Sequence, residues 1–257
     1  MSVSNKTVLI TGASSGIGEA CAAAFAKSGA RLILCARNLE KLQEIASGLE
    51  REHHTETLLY QLDVRDRDAV KSVIAGLPAG WRRIDVLINN AGLAMGLDKI
   101  YKNDIDDWDT MIDTNIKGLL YVTRQVVPLM IEQEIRGHVI NIGSIAGTAA
   151  YPNGAVYCAT KAAVKFISDG LRQDIVDKPI RVTNIQPGLV ETNFSVVRFK
   201  GDKGRADNVY KGIKPLTGED IADIALYCAS APPHVQIGEV TVTATHQANG
   251  TVVYRES

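Results

Sequence analysis

The aliphatic run Thr7-Val-Leu-Ile10 passes without a spacer into Thr11-Gly-Ala-Ser-Ser-Gly-Ile-Gly18, and an Ala-rich helical pattern follows at once. No other feature constrains the fold so tightly. Glycines at 12, 16 and 18 allow a tight turn and let main-chain N–H groups approach an anion at the helix N-terminus, where the macrodipole also favours negative charge. Strand, glycine turn and helix in this order predict the opening of a doubly wound α/β sheet that binds a dinucleotide, with Gly12, Ser14, Ser15, Gly16, Ile17 and Gly18 as cofactor-binding candidates. A P-loop is the rival phosphate reading, but the Gly-Lys-Ser/Thr it requires is missing. An ordinary Gly-rich βα turn stays open as the plain alternative.

The rest of the chain repeats the alternation. Short β-branched runs at residues 7–10, 31–36, 57–62, 86–88, 138–142, 181–185 and 239–245 read as strands, several apolar almost throughout, as strands covered on both faces are. Helical periodicity fills residues 18–27, 39–52, 66–75, 107–134, 155–177 and 218–230. The sum is an α/β protein with right-handed βαβ units and a parallel sheet carrying helices on both faces. No repeat or linker divides the 257 residues, so one domain over residues 1–257 is expected. Residues 190–215 lack a clean period and read as an inserted, charged flap.

Composition excludes several classes of function. Lys plus Arg total 28 against 29 for Asp plus Glu, so a nucleic-acid binder relying on phosphate neutralisation is not expected. Cys21, Cys35, Cys158 and Cys228 lie far apart with no metal-ligand spacing, which fits a reducing compartment and predicts no metal site. The start of the chain lacks a signal-peptide pattern, and no run approaches the roughly 18 apolar residues that span a bilayer. A cytoplasmic protein without membrane contact is expected.

The second strand should end near the position, about 20 residues past the glycines, where an acidic residue would bind the 2′-hydroxyl of NAD. Arg37 stands there, and no carboxylate occurs until Glu40. A guanidinium pairs bidentately with a 2′-phosphate, whereas a carboxylate repels it. NADP(H) is therefore predicted over NAD(H), with Ser14 and Asn38 as supporting donors. The competing reading of Arg37 is an exposed loop charge.

Ser144 follows the fifth strand, at the sheet end where ligands bind in open α/β folds. Tyr157 comes thirteen residues later, and Lys161 one helical turn after that, on the same helix face. An ammonium beside a phenol favours the phenolate and lowers its pKa toward the range useful for acid–base chemistry. The spacing alone is weak, because Tyr210 and Lys214 repeat it. That second pair has no strand-end serine before it and reads as a surface helical pair.

Taken in order, Thr11-Gly-Ala-Ser-Ser-Gly-Ile-Gly18, Asn89-Asn-Ala-Gly92, Asn115, Ser144, Tyr157-Cys-Ala-Thr-Lys161 and Pro187-Gly188 resemble the short-chain dehydrogenase/reductase family over almost the whole chain. The resemblance implies a Rossmann fold with a seven-stranded sheet, and reversible hydride transfer between a nicotinamide and an alcohol or carbonyl. It implies Tyr157 as acid/base, Ser144 orienting the substrate oxygen, and Lys161 lowering the Tyr157 pKa and binding the nicotinamide ribose. Asn115 would hold a water of a proton relay; a polar residue satisfied by backbone inside its helix is the rival reading. Asp63 and Val64 would flank the adenine, Asn90, Ala91 and Gly92 would lie beneath the cofactor, and Pro187, Gly188, Val190 and Thr192 would meet its nicotinamide end. The helical stretches 107–134 and 155–177 resemble those that form tetramer interfaces in the family, so a homotetramer is expected.

The flap narrows the substrate class. Between Glu191 and Lys214 stand six basic residues (Arg198, Lys200, Lys203, Arg205, Lys211, Lys214) against three acidic ones. The stretch from Pro187 to Asp202, and the later Thr245-His-Gln-Ala248, resemble the NADP-dependent 3-hydroxy acid dehydrogenases that act on serine and L-allo-threonine. That resemblance implies a small carboxylate-bearing substrate, with Arg198 as the candidate for its carboxylate and Phe194 as a pocket wall. A solvated charged flap is the competing reading. A reductase of neutral ketones and a non-catalytic NADP-binding sensor or scaffold remain as alternatives. His246 reads as structural, and Met95 as either substrate lining or filler.

Overall fold

The computed structural model describes residues 3–256; Met1, Ser2 and Ser257, which the one-domain reading of residues 1–257 takes in, lie outside the described residues. Its seven strands are β1 (Thr7–Thr11), β2 (Arg31–Ala36), β3 (Thr57–Gln61), β4 (Val86–Asn89), β5 (His138–Ile142), β6 (Arg181–Pro187) and β7 (Glu239–Val242). They form one sheet in the order β3-β2-β1-β4-β5-β6-β7, and every pairing is parallel. The strand order reverses between β1 and β4, which creates the crevice where such sheets bind ligands.

Alternation along the strands builds two apolar layers. Val8 and Ile10 of β1 join Leu32, Leu34, Val86 and Ile88 on one face, against Phe25 and Ile221. Leu9, Ile33, Leu87 and Val139 point the other way, onto Val122, Val126 and Met130. Full burial of each such side chain contributes about 1.5–3 kcal/mol, which is why the strands read as nearly unbroken apolar runs. The helices α1 (Gly16–Lys27), α2 (Leu39–His53) and α3 (Arg67–Ala75) supply the first crossovers.

The helix expected over residues 107–134 is three pieces: α4 (Ile105–Ile112), a π-helical turn (Asp113–Gly118) and α5 (Leu119–Glu132). A π turn inserts one residue into the 3.6 period, too small a disturbance for apolar periodicity to record. It carries Asn115. The helix after β5, α6 (Ala155–Asp174), stops three residues short of the expected end, and β7 also ends three residues early, at the last residue paired with β6. Between β6 and α9 (Gly218–Ser230), the charged flap folds into two short helices, α7 (Phe194–Arg198) and α8 (Lys203–Asn208). Beyond β7 the chain doubles back through an antiparallel bridge between Gln247 and Val253. His246 lies at the base of this hairpin and meets the Tyr254 ring at a tilt, 5.4 Å between ring centres.

All four cysteines are free and buried. Among the described residues, no helix is long and apolar enough to cross a membrane.

Candidate active site

A cleft of about 720 Å³ lies across the carboxyl ends of the strands. Every site residue read from the sequence lines it, except Gly18 and Asn115. Those two lie just beneath the surface and hold the cleft's walls in place.

The glycine turn forms one half. Gly12 has φ +65°, and a Cβ there would fall 2.9 Å from Ala91 Cα. Gly18 packs tighter still: its Cβ would come within 2.3 Å of the Gly12 carbonyl oxygen and 2.5 Å of Asn90 Nδ2. Asn90 donates from that same amide to the carbonyls of Thr11 and Gly12, 3.0 Å each, and so pins the turn to the end of β4. The side chains of Asn38, Asp66, Asp104, Asp202 and Thr217 cap their helices, but Ser15 leaves the N-terminus of α1 without a side-chain cap. Open N–H groups above a glycine cradle are the donor set that a pyrophosphate requires.

Arg37 stands exposed at the end of β2, and among the described residues its guanidinium has no hydrogen-bond or ion-pair partner. Asn38 Oδ1 accepts from Lys41 N at 2.9 Å to cap α2, which commits the oxygen and leaves the amide N–H groups. Asp63 is gripped by Arg65, with N···O distances from 2.6 to 3.0 Å. The Arg65 hydrogen bonds hold its carboxyl below the usual carboxylate range, against the opposing effect of burial. An unpartnered guanidinium beside an uncapped helix start fits a cofactor bearing a 2′-phosphate.

The other half gathers the proton-handling groups. Ser144 Oγ accepts from Ala146 N at 3.1 Å, so the turn after β5 fixes the hydroxyl toward the cleft. Tyr157 is buried, and its ring meets Phe194 edge-on at 5.6 Å. Burial pushes the Tyr157 phenol well above its ordinary range, with Tyr151 adding to the rise; the Ser144 hydroxyl and the Arg198 guanidinium pull it back. Lys161 stands one helical turn on along α6. Its ammonium donates to the Ile142 carbonyl at 2.9 Å and lies 6.0 Å from the Tyr157 ring centre. Burial pushes Lys161 itself down to about 8.

Asn115 is buried in the π-helical turn. Its Oδ1 accepts from Leu93 N at 2.8 Å, and its Nδ2 donates to Leu93 O at 2.8 Å and to Thr160 Oγ1 at 3.0 Å. Both amide hydrogens are spent, and the side chain ties the loop after β4 to α6. Thr160 in turn donates to the Tyr157 carbonyl at 2.8 Å, linking Asn115 to the turn that carries the phenol.

Of the six basic residues in the flap, only Arg198 lines the cleft. Its guanidinium carbon lies 5.6 Å from the Tyr157 ring centre. Lys200 pairs with the buried Asp107 at 2.9 Å, a clamp between flap and α4 that explains part of the flap's positive charge without any substrate. Tyr210 is not on a surface helix, because α8 ends at Asn208. Its hydroxyl donates to the Val190 carbonyl at 2.9 Å and pairs with Ser195 Oγ at 2.7 Å inside the cleft wall. Met95 packs, partly buried, against the small cluster around Tyr157.

Sequence reasoning missed Tyr151, Gln247 and Arg255, all of which line the cleft. Gln247 Oε1 accepts from Leu189 N at 2.8 Å. Arg255 donates to the carbonyls of Lys211 and, at 3.0 Å, Val209, fastening the C-terminal hairpin to the flap. Tyr151 and Arg255 belong to no motif and Gln247 lies in a segment read only for its resemblance, while Arg198, Leu189 and Val209, which hold the three, are distant in sequence.

The short chain dehydrogenase family profile matches residues 6–203. The NADP-dependent 3-hydroxy acid dehydrogenase of Schizosaccharomyces pombe is 47% identical over 252 residues, covering 98% of this chain and 97% of that protein. The serine 3-dehydrogenase of Rhizobium radiobacter is 43% identical over 252 residues, covering 98% of this chain and 99% of that protein. Among solved structures, the closed form of a serine dehydrogenase complexed with NADP+ superposes with a TM-score of 0.91 at 44% identity, over 98% of this chain and all of the other.

Proposed function

The chain belongs to the short-chain dehydrogenase family, and from that premise we propose that it transfers a hydride between NADP(H) and the 3-hydroxyl or 3-oxo group of short 3-hydroxy acids. The observation that carries the substrate class is Arg198. It is the one flap cation lining the cleft among the described residues, and it faces the ring of Tyr157.

NADP(H), when bound, supplies the hydride acceptor or donor. The glycine turn from Gly12 to Gly18, with Ser14, Ser15, Gly16 and Ile17, receives its pyrophosphate; Arg37 and Asn38 receive the 2′-phosphate. Asp63 and Val64 flank the adenine, and Asn90, Ala91 and Gly92 form the floor. Pro187, Gly188, Val190 and Thr192 meet the nicotinamide end, and Lys161 holds its ribose. Tyr157 takes the proton from the substrate hydroxyl during oxidation and returns it during reduction, while Ser144 orients the same oxygen. Arg198 receives the carboxylate, and Phe194 walls the pocket. Asn115 acts as a positioning residue through Leu93 and Thr160.

Within one domain, residues 190–215 act as the cover of the substrate site. We further assign the chain to a cytoplasmic homotetramer. Exposed apolar side chains on the long helices, Leu120 of α5 and Phe166 of α6, support self-association, as does an apolar groove that brings Ile112 and Ile116 together with Ala155 and Ala159.

A panel of 3-hydroxy acids and their methyl esters, assayed with NADP and NAD side by side, tests this reading. Higher kcat/KM for the acids with NADP is expected. Equal values for acid and ester would make the protein a reductase of neutral carbonyl compounds, and absence of turnover would leave an NADP-binding sensor.

A further inference from the structure

Arg198 reaches across the cleft from α7 and is held at two points. Its Nε donates to the Gly96 carbonyl at 3.1 Å, and Gly96 N donates back to the Arg198 carbonyl at 2.9 Å. The second hold is a side chain: Arg198 Nη2 donates to Tyr151 Oη at 3.0 Å, with the guanidinium carbon 5.5 Å from the Tyr151 ring centre. A guanidinium has five N–H donors, so three remain after these bonds, and among the described residues none meets a carboxylate.

Tyr151 is itself seated firmly. A Cβ on Gly154 would fall 2.0 Å from its Cε2, and one on Gly250 would fall 3.1 Å from its Cδ1. The ring therefore fills a slot between the start of α6 and the C-terminal hairpin. Burial keeps the Tyr151 hydroxyl a neutral phenol, partly offset by the neighbouring guanidinium.

The choice of partner matters chemically. An Asp or Glu at this point would hold the guanidinium as well, but it would neutralise it and compete with any anion arriving in the cleft. A neutral phenol accepts one N–H and leaves the positive charge in place. We propose that Tyr151 is a positioning residue that sets the selectivity of the site for carboxylate-bearing substrates, by holding Arg198 in the cleft without neutralising it. This rests on the reading of Arg198 as the carboxylate partner.

The test measures kcat and KM in the full chain with NADP, for a 3-hydroxy acid and its methyl ester, in Arg198→Gln, Tyr151→Phe and the double variant. Arg198→Gln should abolish the preference for acid over ester; an unchanged preference would overturn the carboxylate reading itself. Tyr151→Phe should lower the preference about tenfold, with most of the loss in KM for the acid, and should have no further effect on it in the Arg198→Gln background. If Arg198→Gln abolishes the preference while Tyr151→Phe retains it, or lowers acid and ester in equal proportion, the assignment of Tyr151 fails alone. Should Tyr151→Phe not fold, Tyr151→Leu removes the same acceptor and is read by the same ratio.

Discussion

Asn115 clasps Leu93 by both of its main-chain polar atoms, accepting from the nitrogen and donating to the oxygen at 2.8 Å each. Leu93 follows Asn90-Ala91-Gly92, so the clasp fixes the loop that forms the cleft floor. Truncation to alanine would strand a buried N–H and a buried C=O, each costing about 1–3 kcal/mol. Asn115→Ala should therefore lose roughly 2–6 kcal/mol of stability in urea unfolding, with a fall in kcat as the support of Thr160 and Tyr157 is lost. A stability change under about 0.5 kcal/mol would show that the loop holds itself.

Arg37 offers a separate test of cofactor choice. Its guanidinium is exposed and, among the described residues, makes no hydrogen bond or ion pair, so replacing it removes only its electrostatic influence on Asp63. Charge-assisted hydrogen bonds to a phosphate contribute about 1.5–3 kcal/mol, or roughly ten- to a hundredfold in affinity. Arg37→Asp should weaken NADP binding by that factor and leave NAD binding equal or tighter. Titration by intrinsic fluorescence measures both, and unchanged NADP affinity would remove Arg37 from the site.

These two residues differ in how far the sequence reveals them. Arg37 is legible because its position is set by local events: the glycine turn, one helix and one strand end. The same holds for Ser144, Tyr157 and Lys161, which lie on one strand–loop–helix segment with fixed spacing. The strands are legible because Leu32-Ile-Leu34 and its counterparts are buried on both faces and so are apolar throughout. The π turn at Asn115 is hidden, since one inserted residue leaves the apolar pattern of its helix intact. Tyr151 and Arg255 are hidden for another reason. Each is defined by a partner more than forty residues away, and the Arg255 partners are carbonyls, which every residue possesses. Tyr210 misleads outright, because its spacing to Lys214 is local while Ser195 and Val190 decide its burial.

Arg255 fastens the C-terminal hairpin to the flap through the carbonyls of Lys211 and Val209, and Glu256 N adds a bond to Gly212 O at 2.7 Å. Loss of the guanidinium removes two charge-assisted bonds at a solvent-exposed place, about 1–2 kcal/mol in sum. Since 1.4 kcal/mol is about tenfold in population, Arg255→Ala should raise amide hydrogen exchange over residues 203–212 by about an order of magnitude. KM for substrate should rise with it, while the melting temperature barely moves. Unchanged exchange in that segment would mean that the other flap contacts, among them Lys200–Asp107, Tyr210–Val190 and Glu256–Gly212, hold it without Arg255.

Lys161 ties stability to pH. Burial pushes its pKa from an ordinary 10.5 down to about 8, because the charged form loses water and gains only the Ile142 carbonyl in return. Between pH 8 and 10.5 the unfolded chain still carries a proton that the folded chain has released. Unfolding then takes up protons, so the stability contributed through this group rises with pH across that window. Below pH 8 both states are protonated and the full cost of burying the ammonium is present. The span corresponds to roughly 3 kcal/mol. Lys161→Met carries no such titration. The stability of the unsubstituted protein minus that of the variant, measured in urea without cofactor, should therefore grow by up to about 3 kcal/mol from pH 8 to 10.5 and stay flat from pH 6 to 7. A difference that is constant over the whole range would mean that the buried ammonium keeps its ordinary pKa. The phenol of Tyr157 would then face a fully charged lysine throughout the pH range in which it exchanges its proton.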